Sequence, residues 1–339
     1  MRPLSRSARL TTVVFLLGCQ GPVGPAGENG ATGQPGPEGP EGPRGPAGDG
    51  GPVGNPGDPG RNATLTGPGL KFEILGAEIA DGVAKATFKI TDDEDAPLDL
   101  NGLNTEGAVT PRFVLSWLDI YASGDPLQYT AYTTKAQTSP ITGITETQAS
   151  TDSGGTFAEI GVAEGTYTYT FATPIVPVDA TKTHTVGVFA SRDFEEKRYV
   201  ANAVYHFVPA GGPVSTTREV VETASCNQCH NPLEFHGGQR RETALCITCH
   251  QPQSVDPDTG NTVDFKVMVH KIHRGKSLPS VVAGTPYQII GYKQSVEDFS
   301  TVAFPQEIQN CETCHSGTDG DRWKTRPSPF PVPTQSEPS

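Results

Sequence analysis

Between about Leu70 and Val208 apolar and polar residues alternate in short runs, and Gly, Asp and Pro turn signals separate the runs. Alternation with period two is the signature of a half-buried strand, because successive side chains point to opposite faces of a sheet. "LKFEILGAEIADGVAKATFKITDD" is two such runs joined around Asp81-Gly82, a pair suited to the tight turn of a hairpin. "RFVLSWLDIYA", "LQYTAYTTKA", "TYTYTFATPI", "THTVGVFASRD" and "YVANAVYHFVP" continue the series. Seven or eight strands in about 140 residues, with no convincing amphipathic helix, predict an antiparallel all-β domain, an Ig-like sandwich or split barrel. Such a domain is long enough to bury its own core.

The flanking regions obey other periods. Arg2, Arg6 and Arg9 precede the apolar run "LTTVVFLLGC", which has the basic start and short apolar stretch of an export signal and is too short to span a bilayer. Leu16-Leu17-Gly18-Cys19 is similar to a bacterial lipobox, in which cleavage before the cysteine leaves Cys19 to carry lipid; Gln20 after it favours the outer membrane. From Gly21 to Gly60 every third residue is glycine, fourteen in succession, and ten of the intervening positions are proline. Only glycine fits the axis of a collagen triple helix and proline holds the polyproline geometry, so the repeat predicts a collagen-like stalk on the order of 120 Å long. A homotrimer and a single extended chain fit it equally.

After the β segment, helical spacing appears once, in "DFKVMVHKIHRG", a short helix predicted to end near Gly275. The chemistry lies around it. Of seven cysteines, six form three identical motifs: Cys226 and Cys229 before His230, Cys246 and Cys249 before His250, and Cys311 and Cys314 before His315. In this motif the two thiols bond a haem covalently and the histidine reaches its iron. Disulfides would leave the histidine after each pair unexplained, and zinc needs two pairs per metal, which three pairs cannot supply evenly.

Eight histidines are present. His184 and His206 lie in strand patterns and are expected to be packing or surface residues. That leaves the proximal His230, His250 and His315 and three spare ones, His236, His270 and His273, matching three haems. The three-residue spacing puts His270 and His273 on one helix face, so one helix can serve two adjacent haems while His236 serves the third. Two fixed axial histidines leave iron no open position, which suits passing single electrons. Cys226 to His315 is ninety residues, too few for an ordinary core around three haems. The macrocycles are therefore expected to be the core and to lie close together. Arg240, Arg241, Lys271, Arg274 and Lys276 are candidates to pair with the haem propionates.

The blocks "CNQCHNPLEFHGGQRRETALCITCHQP", "VDFKVMVHKIHRGKSLPSV" and "FPQEIQNCETCHSG", preceded by a β domain ending in "YVANAVYHFVPAGG", resemble the OmcA/MtrC family of outer-membrane multihaem c-type cytochromes. The resemblance covers about Leu70 to Gly317. It implies a cell-surface lipoprotein that takes electrons from a porin–cytochrome conduit or other multihaem cytochromes and delivers them to metal oxides or flavins. On the family pattern His236, His270 and His273 match distal-ligand positions. Family members carry two β domains, two multihaem domains and ten haems, and a collagen-like stalk is not usual among them.

The expected organisation is multidomain: 1–19 lipoprotein signal, 20–66 stalk, 67–212 β domain, 213–320 trihaem domain with short helices and little regular structure, and 321–339 proline-rich tail. The net charge of −13 excludes a general attraction to nucleic acid or anionic membranes. The acidic loop Asp92 to Gly102 has carboxylates for calcium but not the spacing of an EF-hand, and a solvated turn is the expectation. An enzyme with one open haem, reducing an oxyanion or peroxide, and a surface adhesin are the competing classes.

Overall fold

The computed structural model describes residues 66–120, 126–176 and 179–315. The signal with Cys19, the collagen-like repeat and the tail lie outside them. Among the described residues the first ten strands are β1 (Lys71–Ala80), β2 (Val83–Thr91), β3 (Arg112–Ile120), β4 (Pro126–Ala131), β5 (Thr134–Thr138), β6 (Thr145–Ala149), β7 (Thr156–Gly161), β8 (Thr166–Thr170), β9 (His184–Phe194) and β10 (Lys197–Phe207).

β1, β2, β8 and β7 form one antiparallel sheet, β10, β9, β3 and β4 a second, and β5 with β6 a separate hairpin. The β1–β2 hairpin turns at Asp81 and Gly82, with φ of 51° and 77°, the left-handed pair that the Asp-Gly signal implies. Alternation does the rest. Phe72, Ile74, Ala84, Ala86, Phe88 and Ile90 from the first sheet meet Phe113, Leu115, Val186, Val188 and Ala190 from the second in one core. Aromatic rings tie it together, Phe72 stacking on Phe88 at 4.8 Å and Phe113 on Tyr169 at 4.4 Å. Each such pair adds about 0.5–1.5 kcal/mol beyond the area it buries. The edge strands β1 and β10 pack along each other, closing one side of the sandwich.

Strands β5, β6 and β7 escape the alternation rule. β5 and β7 are exposed almost throughout and β6 is exposed or half-buried, so none has an apolar face to mark it in the sequence. The acidic loop also differs from expectation. Asp92 and Asp99 are buried, and they cap backbone amides: Asp92 accepts from Glu94, Ala96 and Gly67, and Asp99 from Asn101, Leu103 and Asn104. Those amides hold the Asp99 carboxyl below the usual range against the cost of its burial. The turn is a pair of carboxylate-capped loops, and only part of it is solvated.

β9 explains how the C-terminal segment is carried. Nine of its first ten residues are buried, because one face lines the sandwich and the other is covered by the segment beyond β10. Phe189 and Val114 pack on Leu245, and Leu118 and Tyr129 on Ile247. The β5–β6 hairpin and its flank grip residues 254–258: Gln148 donates to Val255 O at 2.7 Å and Ser139 to Asp258 at 2.6 Å. In the C-terminal segment lie helices α1 (Thr223–Cys226), α2 (Thr243–Cys246), α3 (Phe265–Arg274) and α4 (Pro279–Val282), and the small hairpin β11 (Gln288–Ile290) and β12 (Val296–Asp298). No helix among the described residues is long and apolar enough to cross a membrane.

Candidate haem-binding site

The three Cys-x-x-Cys-His motifs fold alike. α1 and α2 end on the first cysteine of their motifs, and the third motif is a 3-10 turn over Cys311–Thr313. In each, the second cysteine and the histidine turn their amides back to the first cysteine's carbonyl. Cys229 and His230 donate to Cys226 O at 3.1 and 2.9 Å, Cys249 and His250 to Cys246 O at 3.1 and 2.9 Å, and Cys314 and His315 to Cys311 O at 3.2 and 2.9 Å. Positions i, i+3 and i+4 share one side of such a turn, so a single planar group can meet both thiols and the imidazole. The helix starts are joined as well, Thr243 N donating to Thr223 Oγ1 at 2.9 Å and Thr223 to Glu242 at 2.7 Å.

Each spare histidine stands opposite one motif histidine. His236 Nε2 lies 3.5 Å from His250 Nε2, with ring centres 5.7 Å apart. His273 faces His230 at 6.1 Å between ring centres, and His270 faces His315 at 6.2 Å. Thus α3 presents one histidine to the first motif and one to the third, and the loop before α2 presents His236 to the second. The pairing, which spacing alone did not assign, is a product of the fold.

Backbone carbonyls set the ring orientation. His250 Nδ1 donates to Val263 O at 2.9 Å, His270 to Lys266 O at 2.6 Å, His273 to Val269 O at 2.8 Å and His315 to Val220 O at 3.0 Å. A carbonyl only accepts, so the proton sits on Nδ1 and the lone pair on Nε2, the arrangement a metal-ligating histidine requires. His236 is placed differently. Its φ of 53° is left-handed, and Gly237 and Gly238 continue at 72° and 77°; histidine tolerates this region better than most residues, and such strain persists where surrounding structure enforces it.

The donor set fits covalent haem better than zinc. Burial pushes the Cys226 thiol up to about 11 and Cys246 to about 12, and it also raises Cys249 and Cys314. Each turn brings one thiol pair together with its own histidine, whereas a structural zinc site of this type would need two pairs at one metal. Desolvation, reinforced by Arg240 and His250, pushes His236 down to about 4, although part of the residue meets solvent; burial likewise lowers His250 and His273. All three are neutral at physiological pH, as iron ligation needs. Among the described residues no three His, Cys, Asp or Glu side chains cluster as a metal site, and all six cysteines are free thiols.

No residue of α3 is fully buried. Of the five candidate propionate partners, Arg240 lies over Phe189, which packs with Leu245 and with Cys249 of the second motif. Arg241 pairs with Glu234 at 3.1 Å, Lys271 lies over Tyr287, Arg274 donates to Ser277 O, and Lys276 is exposed. His184 is a core residue, bonded to Tyr132 OH at 2.9 Å and Lys182 O at 3.0 Å, and His206 bonds Thr185 Oγ1 at 2.8 Å. Sequence reading missed Asn202 of β10, whose amide bonds Gln239 O at 2.8 Å and Arg241 N at 2.6 Å and so holds the loop bearing His236. Asparagine is depleted in strands, and that was the available signal.

Known proteins resemble this chain in two separate segments. A family model for outer membrane cytochromes, MtrC/MtrF-like, domains II/IV, matches residues 218–334, and a collagen triple helix repeat model matches residues 16–70. A multiheme cytochrome MtrC from Shewanella baltica (strain OS185) is 27% identical over 122 residues, 35% of this chain and 14% of that protein. The crystal structure of the outer membrane decaheme cytochrome OmcA aligns with a TM-score of 0.60 at 24% identity, over 76% of this chain and 42% of OmcA. That of MtrC from Shewanella baltica OS185 gives a TM-score of 0.46 at 23% identity, over 74% and 36%. The matched part spans less than half the length of each relative. The OmcA alignment is longer than the segment after β10, so the sandwich belongs to the shared fold. By that fold and the matching cytochrome domain, the chain resembles the OmcA/MtrC family of outer-membrane cytochromes.

Proposed function

We propose that the chain is a lipid-anchored trihaem electron relay at the cell surface. The supporting observation is that three histidine pairs form, each joining one Cys-x-x-Cys-His motif to one spare histidine. In this reading Cys226 and Cys229, Cys246 and Cys249, and Cys311 and Cys314 would hold three c-type haems covalently, and His230 with His273, His250 with His236, and His315 with His270 would supply the imidazoles to their irons. When bound, each haem supplies a one-electron iron couple. The chain's residues would offer each haem iron two imidazoles and so leave it no site for an exogenous ligand.

The start of the first motif's helix bonds that of the second through Thr223 and Thr243, and His315 of the third bonds Val220 just ahead of the first, so the relay order in this reading is second, first, third. Residues 67–212 act as the platform and 213–320 as the relay. Cys19 serves as the lipid anchor, and the collagen-like repeat lifts the folded part from the membrane as a monomeric spacer or homotrimer. Partners are a porin–cytochrome conduit or other multihaem cytochromes, and the acceptors are metal oxides or flavins.

Haem stoichiometry, EPR and carbon monoxide binding of the chain matured in a c-type cytochrome-producing host test the reading. Three covalent low-spin haems indifferent to carbon monoxide are expected. A high-spin haem that binds carbon monoxide moves the case to a reductase, and absence of covalent haem overturns it.

A further inference from the structure

Residues Phe235 to Arg240 form a closed loop, Phe235 N donating to Arg240 O at 3.0 Å and Arg240 N to Phe235 O at 3.2 Å. This closure sets Arg240 opposite Phe235, at the far end of the loop that bears His236. Asn202 grips the loop on both sides of Arg240, at Gln239 O and Arg241 N. The guanidinium lies 4.3 Å from the ring centre of Phe189, a buried residue of β9, so the sandwich fixes its position. Phe189 in turn packs with Leu245 and Cys249, so the guanidinium stands beside the second motif. Arg240 is itself partly desolvated, yet an arginine keeps its proton at any physiological pH.

We infer that Arg240 is the fixed positive charge of the site formed by Cys246, Cys249, His250 and His236, and that it raises the reduction potential of the haem held there. The inference rests on the ligand reading above. Reduction adds one electron and lowers the site's charge by one, so a nearby cation in a medium of reduced dielectric favours the reduced form. The sign is the same whether the charge acts on the iron or offsets a haem carboxylate.

The test is a spectropotentiometric titration of the haem-loaded chain carrying Arg240→Gln, Arg240→Lys or Phe189→Leu, with His236→Ala to mark the site. In Arg240→Gln one of the three transitions moves to lower potential while all haems stay low-spin, and Arg240→Lys restores most of the shift. The transition that moves is the one carried by the haem that turns high-spin in His236→Ala. Phe189→Leu removes the stacked ring but keeps the charge, and it moves that transition much less. Three unchanged transitions in Arg240→Gln, a shift in a different one, or an equal shift in Phe189→Leu overturns the inference. Failure of the underlying ligand reading is distinguishable, because His236→Ala would then leave every haem low-spin.

Discussion

The Nε2 atoms of His236 and His250 face each other across 3.5 Å. Both imidazoles are thus placed where they would hold the iron of a haem attached at Cys246 and Cys249. Replacing His236, His273 or His270 by alanine is therefore expected to open the second, first or third motif's haem respectively. Each variant converts about one third of the haem signal to a high-spin, carbon monoxide-binding form by EPR and absorption. If all three affect the same haem, the pairing is wrong.

Asn202 is the link by which the sandwich holds that loop. Asn202→Ala removes its bonds to Gln239 O and Arg241 N and costs about 1–3 kcal/mol, the range for leaving buried polar groups unmet. A partial high-spin population confined to the second site is expected in EPR, with a lower thermal midpoint. An unaltered spectrum would show that the loop holds its shape without the sandwich.

Gly187 makes room for the second motif on β9. A Cβ there would stand 2.7 Å from Leu245 Cδ1 and 2.9 Å from Val114 Cγ2. Gly187→Val is expected to cost about 1–3 kcal/mol through overpacking. In a Leu245→Ala background the cost shrinks, because the two changes share one contact. Urea denaturation of the four variants in a double-mutant cycle reads the coupling, and additive costs would refute the contact.

His184 makes the sandwich acid-sensitive. Burial holds its folded-state value below the ordinary 6.5, so the unfolded chain takes up the proton first as pH falls. Its contribution to stability is complete above about pH 6.5 and is lost as pH drops towards the lowered folded value. The urea midpoint is expected to fall between about pH 7.5 and about pH 5, and less so in His184→Gln. Equal falls in both proteins would exclude His184 as the cause.

Arg192 anchors the point where the chain enters the sandwich. Its guanidinium is fully buried and donates to the carbonyls of Gly67, Gly69 and Glu106 at 2.7–3.0 Å. Arg192→Met leaves these acceptors unmet at a cost on the order of 3 kcal/mol. Limited proteolysis should then cut near residues 66–69 well before the rest of the sandwich. Cleavage at the wild-type rate would mean that the entry segment is held by other contacts.

Local physics wrote much of this protein directly into its sequence. Strands such as β1 and β2 were legible because one face meets a core and the other water, and α3 because its apolar positions recur at helical spacing. The haem motifs were legible because thioether attachment needs two thiols and a histidine at fixed separations in one turn. β5 to β7 were not, since strands without a buried face carry no alternation. Asp92 and Asp99 misled for a related reason, as a carboxylate's charge suggests solvent while its backbone partners are set by the turn.

What the sequence by itself determined is the donor inventory: six thiols and six histidines in one-to-one proportion, on a chain with an alternating β segment and a glycine repeat. What only the tertiary structure decided is partnership. His236 meets His250 because Asn202, distant in the chain, holds its loop, and Arg240 joins them because β9 offers it the ring of Phe189. Such contacts depend on close packing between elements far apart along the chain, and no local pattern of residues encodes that distance.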